Sequence, residues 1–179
     1  MSNQHFSKSR KTFHWVVAAV LLLQVPFGWY MVELPDGPQR MDSYSLHKAF
    51  GMVIFTIAVL RLICSLFSSR PPQPAGSAWY EKALSKAVQI ALYVIVCLMP
   101  LSGWLMSSAA GYPVSMFGLF ELPQIMATDK TRIEGFAQMH EMQSWILLGA
   151  LTLHLLGALQ HHFLLKDNVL LSMLPGRRN

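Results

Sequence analysis

The chain has 179 residues, of which 53% are hydrophobic and only 13% charged, and its mean hydropathy is +0.38. Apolar residues at this density exclude an ordinary soluble domain and make a membrane protein the first expectation. The formal net charge of +5 is modest, and its basic residues gather at one end of the apolar segments, so a lipid bilayer is the expected partner and no nucleic acid is.

A hydrocarbon core about 30 Å thick takes roughly 20 mostly apolar helical residues to cross. Four such windows predict an all-α fold, a four-transmembrane-helix bundle forming a single membrane domain over residues 1–179. The first helix is expected over about 13–32. Lys8, Arg10 and Lys11 precede it as they would a signal peptide, but the apolar stretch is too long for an h-region and lacks a small-residue cleavage site, so it reads as a span. The second is expected over about 45–67, interrupted by Lys48 and Arg61. Pro71, Pro72 and Pro74 then stop that helix and make an extended polar link.

The third helix is expected over about 79–110. The charge-free run from Ala87 to Phe120 is longer than one span, so an outer interfacial segment over 111–135 should follow. Its apolar part, GYPVSMFGLFELPQIM from Gly111 to Met126, reads equally well as a lid at the membrane interface and as an ordinary packed loop. The fourth helix is expected over about 136–165.

Four spans put both termini on one side. Lys8, Arg10, Lys11, Arg70, Lys82, Lys86, Lys166, Arg177 and Arg178 gather there, which predicts a multi-pass protein of the bacterial inner membrane with cytoplasmic termini. The opposite loops hold Arg40, Lys48, Lys130 and Arg132 against Glu33, Asp36, Asp42, Glu121, Asp129, Glu134 and Glu141, a net acidic outer surface. Cys64 and Cys97 lie inside spans and read as packing residues. No CxxCH occurs, which excludes covalent c-type haem attachment by that signature.

Of seven histidines, His5 lies in the tail and six fall in or beside the spans. An ionisable residue in a span usually faces a functional interior. His140 and His154 are 14 residues apart, a spacing that returns to within about 40° of one helix face while rising ~21 Å. His14 begins the first helix at the inner side and His47 the second at the outer side, so each has a partner at its own depth: His14 with His154, and His47 with His140. Two facing imidazoles match the axial ligation of a low-spin haem, in which full coordination suits electron transfer. Two pairs predict two non-covalent haem b groups stacked between the helices. The alternative is polar core residues bonding one another; a chelating metal cluster fits poorly, since the pairs lack carboxylate or thiolate neighbours.

Gly28 lies 14 residues beyond His14, on the same face at the outer level, where it leaves room for a macrocycle; Gly51 is one turn beyond His47. Arg61 lies 14 residues beyond His47, on the face of the inner pair. It either pairs with a haem propionate or snorkels to the cytoplasmic interface, and the face argument favours the propionate.

With these residues in view, the sequence resembles the bacterial cytochrome b561 family, whose members are related to the haem b subunits of formate dehydrogenase and nickel-iron hydrogenase. The resemblance is carried by FHW at Phe13 to Trp15, LHKAFG from Leu46 to Gly51, VLRL around Arg61, MPLSGWLMS from Met99 to Ser107, MHEMQSW around His140, and HLLGALQHHFLLKD from His154 to Asp167. It implies the same haem pairing as the depth argument. Many relatives carry His where this chain has Gln89, which therefore receives no ligand role.

His161, His162 and Lys166 remain, about 10 Å beyond His154 toward the cytoplasm. Ubiquinone reduction needs hydrogen-bond donors and proton delivery beside an electron source, and imidazoles near an aqueous surface supply both. In family members the His-His segment resembles the quinone end, while the alternative is contact with lipid headgroups. The expected function is electron transfer between a periplasmic redox partner and ubiquinone. The resemblance adds superoxide as one donor, because some members look like superoxide oxidases. The competing class is an electron-transfer subunit that docks a partner protein and has no substrate chemistry of its own.

Overall fold

The computed structural model describes residues 8–66 and 78–174. Pro71, Pro72, Pro74 and Arg70 of the inner connection lie outside the described residues, as do His5, Arg177 and Arg178. The elements in order are α1 (Lys8–Glu33), α2 (Pro38–Leu66), α3 (Trp79–Ala109), a hairpin of β1 (Val114–Met116) and β2 (Phe120–Leu122), a 3-10 turn (Lys130–Arg132), α4 (Ile133–Phe163) and the short α5 (Val169–Met173). Four of these helices are long and apolar enough to cross a membrane.

The helices overrun the apolar windows mainly at their starts, because a helix does not stop where the hydrocarbon does. Lys8, Arg10 and Lys11 join the first turns of α1. α2 opens at Pro38, a residue suited to the first helical position because its missing N–H is unneeded there. Pro26 and Pro100 lie inside α1 and α3.

Within the outer segment the chain forms a small two-stranded hairpin. Val114 pairs with Leu122, Ser115 with Glu121 and Met116 with Phe120. Leu119 N–H donates to Met116 O at 3.0 Å, closing a turn in which Phe117 (φ 55°) and Gly118 (φ 75°) both take positive φ. The Phe117 ring packs edge-on against Phe50 of α2 at 5.2 Å. Lys48 fastens the start of the segment, its Nζ donating to Pro113 O at 3.1 Å and to Ser107 Oγ at 3.2 Å.

In the bundle, α1 packs on α2, α2 on α3, and α3 on α4. All four helices contribute to one buried apolar cluster: Val17 and Leu21, Ile54 and Ala58, Ile95 and Val96, and Leu147. Outward-facing Leu22, Leu23, Leu153 and Leu155 are exposed, the surface that hydrocarbon covers in a span. At one end of the bundle Arg10 Nη2 donates to Ser65 O at 3.5 Å, Lys11 Nζ to Leu174 O at 3.2 Å and Trp15 Nε1 to Met173 O at 2.8 Å. The start of α1, the end of α2 and the α5 strap therefore share one side.

Candidate functional site

α4 runs the length of the bundle and presents a histidine near each end. Leu147, 1% exposed, lies seven residues from both His140 and His154, so the apolar cluster sits between two polar levels.

At the inner level the His14 and His154 rings face each other with centroids 6.0 Å apart and planes crossing at 63°. At the outer level His47 and His140 stand 6.3 Å apart with planes at 76°. Imidazoles bound to opposite sides of one ion through metal–nitrogen bonds of about 2 Å have centroids roughly 6 Å apart. Both pairs have this spacing. The Nδ1 atoms of His14 and His47 are buried without a hydrogen-bond partner, an uncommon state for a ring whose only role is structural. Among the described residues no three His, Cys, Asp or Glu side chains are grouped so as to hold a metal ion, and the donors that face each other at each level are the two imidazoles. The residues present suit a haem b.

Neighbouring groups orient the outer pair. His140 Nδ1 lies 3.1 Å from Met99 O and 3.0 Å from Ser102 Oγ. Met99 O only accepts, so the Nδ1 proton points toward it, leaving Nε2 with its lone pair. The single Ser102 hydroxyl proton then has two acceptors in reach, Gln143 Oε1 at 2.6 Å and Met99 O at 2.7 Å. Such outer partners hold a ligating ring in one tautomer and orientation. Gln24 Nε2 donates to His47 O at 2.6 Å, which ties α1 to the backbone of the facing histidine.

Two glycines make room for these rings. A Cβ at Gly28 would stand 3.0 Å from His47 Cε1, and one at Gly103 would stand 3.2 Å from His140 Cε1. Gly28 thus accommodates an imidazole directly, a closer role than the space for a macrocycle expected from the spacing. A Cβ at Gly51 would meet nothing within 4 Å. Sequence reasoning missed Gly103, Ser102, Gln143 and Gln24. The first two stand in the MPLSGWLMS segment, but spacing on one helix says nothing about which neighbouring helix supplies a partner.

Arg61 lies on α2 toward the inner level, 14 residues beyond His47, with its guanidinium 5.3 Å from the centroid of the Tyr93 ring. Beyond that level, His161 Nδ1 is 2.6 Å from Asp167 Oδ2, and His162 packs on Phe163 at 4.7 Å. The Lys166 side chain is exposed, and its backbone is left-handed (φ 52°). At the outer end Arg40 Nη1 meets Asp36 Oδ1 at 2.6 Å and Arg132 Nε meets Asp129 Oδ2 at 3.0 Å. With Lys48 committed to Pro113 and Ser107, three of the four outer cations already have partners within the fold.

A family model described as prokaryotic cytochrome b561 matches residues 5–176. Among characterised sequences, the chain is 32% identical to cytochrome b561 homolog 2 of Escherichia coli, over 90% of this chain and 87% of that protein. It is 30% identical to cytochrome b561 homolog 1 of the same organism, over 97% and 98%. The probable superoxide oxidase CybB of Yersinia pestis is 26% identical over 92% and 93%.

Proposed function

The chain belongs to the prokaryotic cytochrome b561 family, and on that footing we propose that it holds two haem b groups and moves electrons between a periplasmic redox partner and the ubiquinone pool. Membership makes it a multi-pass membrane electron-transfer protein with haem b. In the proposed arrangement His14 and His154 hold the inner haem, and His47 and His140 the outer one. Bound there, haem b supplies one-electron exchange without an open coordination site.

The observation that carries this reading is the pair of imidazole spacings, 6.0 and 6.3 Å, at two levels of one bundle. The chain's own residues have distinct tasks in it. Met99 O and Ser102 Oγ hold the His140 proton on Nδ1, which would leave the Nε2 lone pair free to ligate a haem. Arg61 offers a positive charge to a propionate at the inner level, and the Val17 to Leu147 layer excludes water between the levels. His161, His162 and Lys166 stand at the inner surface, where a quinone headgroup would take up protons.

Orientation follows from the basic inner end, with both termini cytoplasmic in the inner membrane. Superoxide oxidation is named for one relative and enters here as one candidate donor reaction. The outer Arg40–Asp36 and Arg132–Asp129 pairs leave little free positive charge to draw in a small anion, which favours a redox protein or quinol on that side.

Haem quantified per purified chain, with a reduced-minus-oxidised spectrum, tests the reading. Two low-spin b haems are expected in the wild type. His47→Ala or His140→Ala should remove mainly the outer haem, and His14→Ala or His154→Ala mainly the inner one. A His161 variant that loses a haem while His154→Ala keeps both would sink the pairing.

A further inference from the structure

The chain beyond α4 is built to bring one carboxylate back onto the last turn of that helix. Leu164 and Leu165 N–H both donate to Gln160 O, at 2.9 and 3.0 Å, which ends the helix. Lys166 then takes a left-handed conformation (φ 52°), costly for a residue with a Cβ, and the chain reverses. Asp167 N–H donates to His161 O at 3.1 Å, so the aspartate is held beside the residue its side chain meets. Its two oxygens have separate duties: Oδ1 accepts from Val169 N–H at 2.9 Å, capping α5, and Oδ2 lies 2.6 Å from His161 Nδ1. Both side chains are only about a quarter exposed, at 22% and 25%.

We infer that Asp167 is the positioning residue of His161, fixing its ring so that Nε2 faces a quinone headgroup and exchanges a proton with it. This rests on the quinone reading of the inner end. A carboxylate that accepts the Nδ1 proton leaves Nε2 as the ring's working atom and sets its direction. α5 braces the pair from below: Trp15, whose ring is 5.4 Å from that of His14, donates to Met173 O, and Lys11 donates to Leu174 O. The proton-exchanging ring and an inner histidine are thus tied into one frame.

The chemistry balances. A quinone takes two electrons, one at a time from the inner end of the electron path, and two protons. One O–H bond forms at the carbonyl oxygen facing His161 as the Nε2–H bond of the doubly protonated ring breaks. The ring, still holding its Nδ1 proton on Asp167, regains the other from water at the membrane surface. The second O–H bond takes its proton from the same water.

Asp167→Asn separates this role from a structural one. The amide oxygen still caps Val169, but the amide nitrogen now faces Nδ1 as a donor, so the ring keeps only its Nε2 proton, and giving that one up would leave an imidazolate instead of a neutral ring. The experiment uses full-length, haem-loaded protein. In the reduced, diamagnetic state, proton NMR of the chain labelled with 15N-histidine should show a low-field Nδ1 proton that Asp167→Asn removes. Stopped-flow oxidation of the reduced protein by a short-chain ubiquinone should slow roughly a hundredfold in Asp167→Asn. Half-saturating quinone and the haem spectrum should be unchanged, and Asp167→Glu should restore part of the rate. An Asp167→Asn rate equal to wild type, or no low-field proton in the wild type, overturns the role of Asp167 and leaves the quinone reading standing. Wild-type protein that reduces no ubiquinone overturns both. Loss of haem in Asp167→Asn would reduce the aspartate to a cap for α5 and overturn the inference as well.

Discussion

Gly28 of α1 faces the His47 imidazole of α2 so closely that a single added carbon would stand 3.0 Å from Cε1. Gly103 of α3 faces His140 in the same way at 3.2 Å, so the outer pair is flanked by one glycine behind each ring. A Cβ at either position must push its imidazole by a few tenths of an ångström. Overpacking of this kind costs about 1–3 kcal/mol, and His47 has little freedom to yield while Gln24 holds its backbone carbonyl.

Gly28→Ala should therefore lower occupancy or shift the spectrum of the outer haem and leave the inner one as in the wild type. Gly103→Ala should do the same more weakly. Haem per chain and the low-temperature difference spectrum measure both. An equal disturbance of the two haems would mean that the glycines act on the bundle as a whole.

Lys166 has a backbone duty and a side chain that can be tested apart. Its left-handed conformation favours glycine by about 1 kcal/mol, so Lys166→Gly should keep or raise thermal stability while removing the ammonium group. Slower ubiquinone reduction with intact haem spectra is expected if the ammonium faces the headgroup. Unchanged kinetics would return Lys166 to contact with lipid phosphates.

The shared end of the bundle formed by Lys11, Trp15, Met173 and Leu174 should be the cytoplasmic one. A reporter that is active only in the periplasm, fused after Asn179, should stay silent. Activity there would reverse the direction in which electrons cross the membrane.

Reduction of the haems by superoxide should be slow at low salt and quicken as salt rises. Five outer carboxylates, Glu33, Asp42, Glu121, Glu134 and Glu141, stand outside the Arg40–Asp36 and Arg132–Asp129 pairs. Hydrogen bonds from the Thr131 hydroxyl and backbone hold the Asp129 carboxyl below its usual range. That group therefore loses its charge only at lower pH than an ordinary carboxylate, and its pair with Arg132 persists at neutral pH. The remaining acidic field repels a small anion until it is screened beyond ~8 Å at physiological salt. Stopped-flow haem reduction against ionic strength checks the sign; rapid reduction that salt suppresses would point to a positive funnel.

The four helices were legible in the chain itself, and so was the placing of His14 at the level of His154 and of His47 at that of His140, where the rings stand 6.0 and 6.3 Å apart; that these pairs hold haem belongs to the proposal. Hydrocarbon thickness sets a span length, and helical periodicity converts a 14-residue spacing into a shared face one membrane depth apart. Gly28 was legible as a space-making residue for the same reason. What spacing along one helix does not encode is contact between helices. Only packing brought Ser102, Gln143 and the Met99 carbonyl to His140, Gly103 behind the same ring, and Lys48 onto Pro113. The outer segment became a hairpin because Phe117 and Gly118 close a turn whose apolar edge packs on Phe50, a choice hydropathy does not contain. Asp167 stood in the sequence as a loop residue six positions from His161. The left-handed turn at Lys166 folds it back against the ring, and a reversal of that kind depends on one backbone torsion rather than on any periodic pattern.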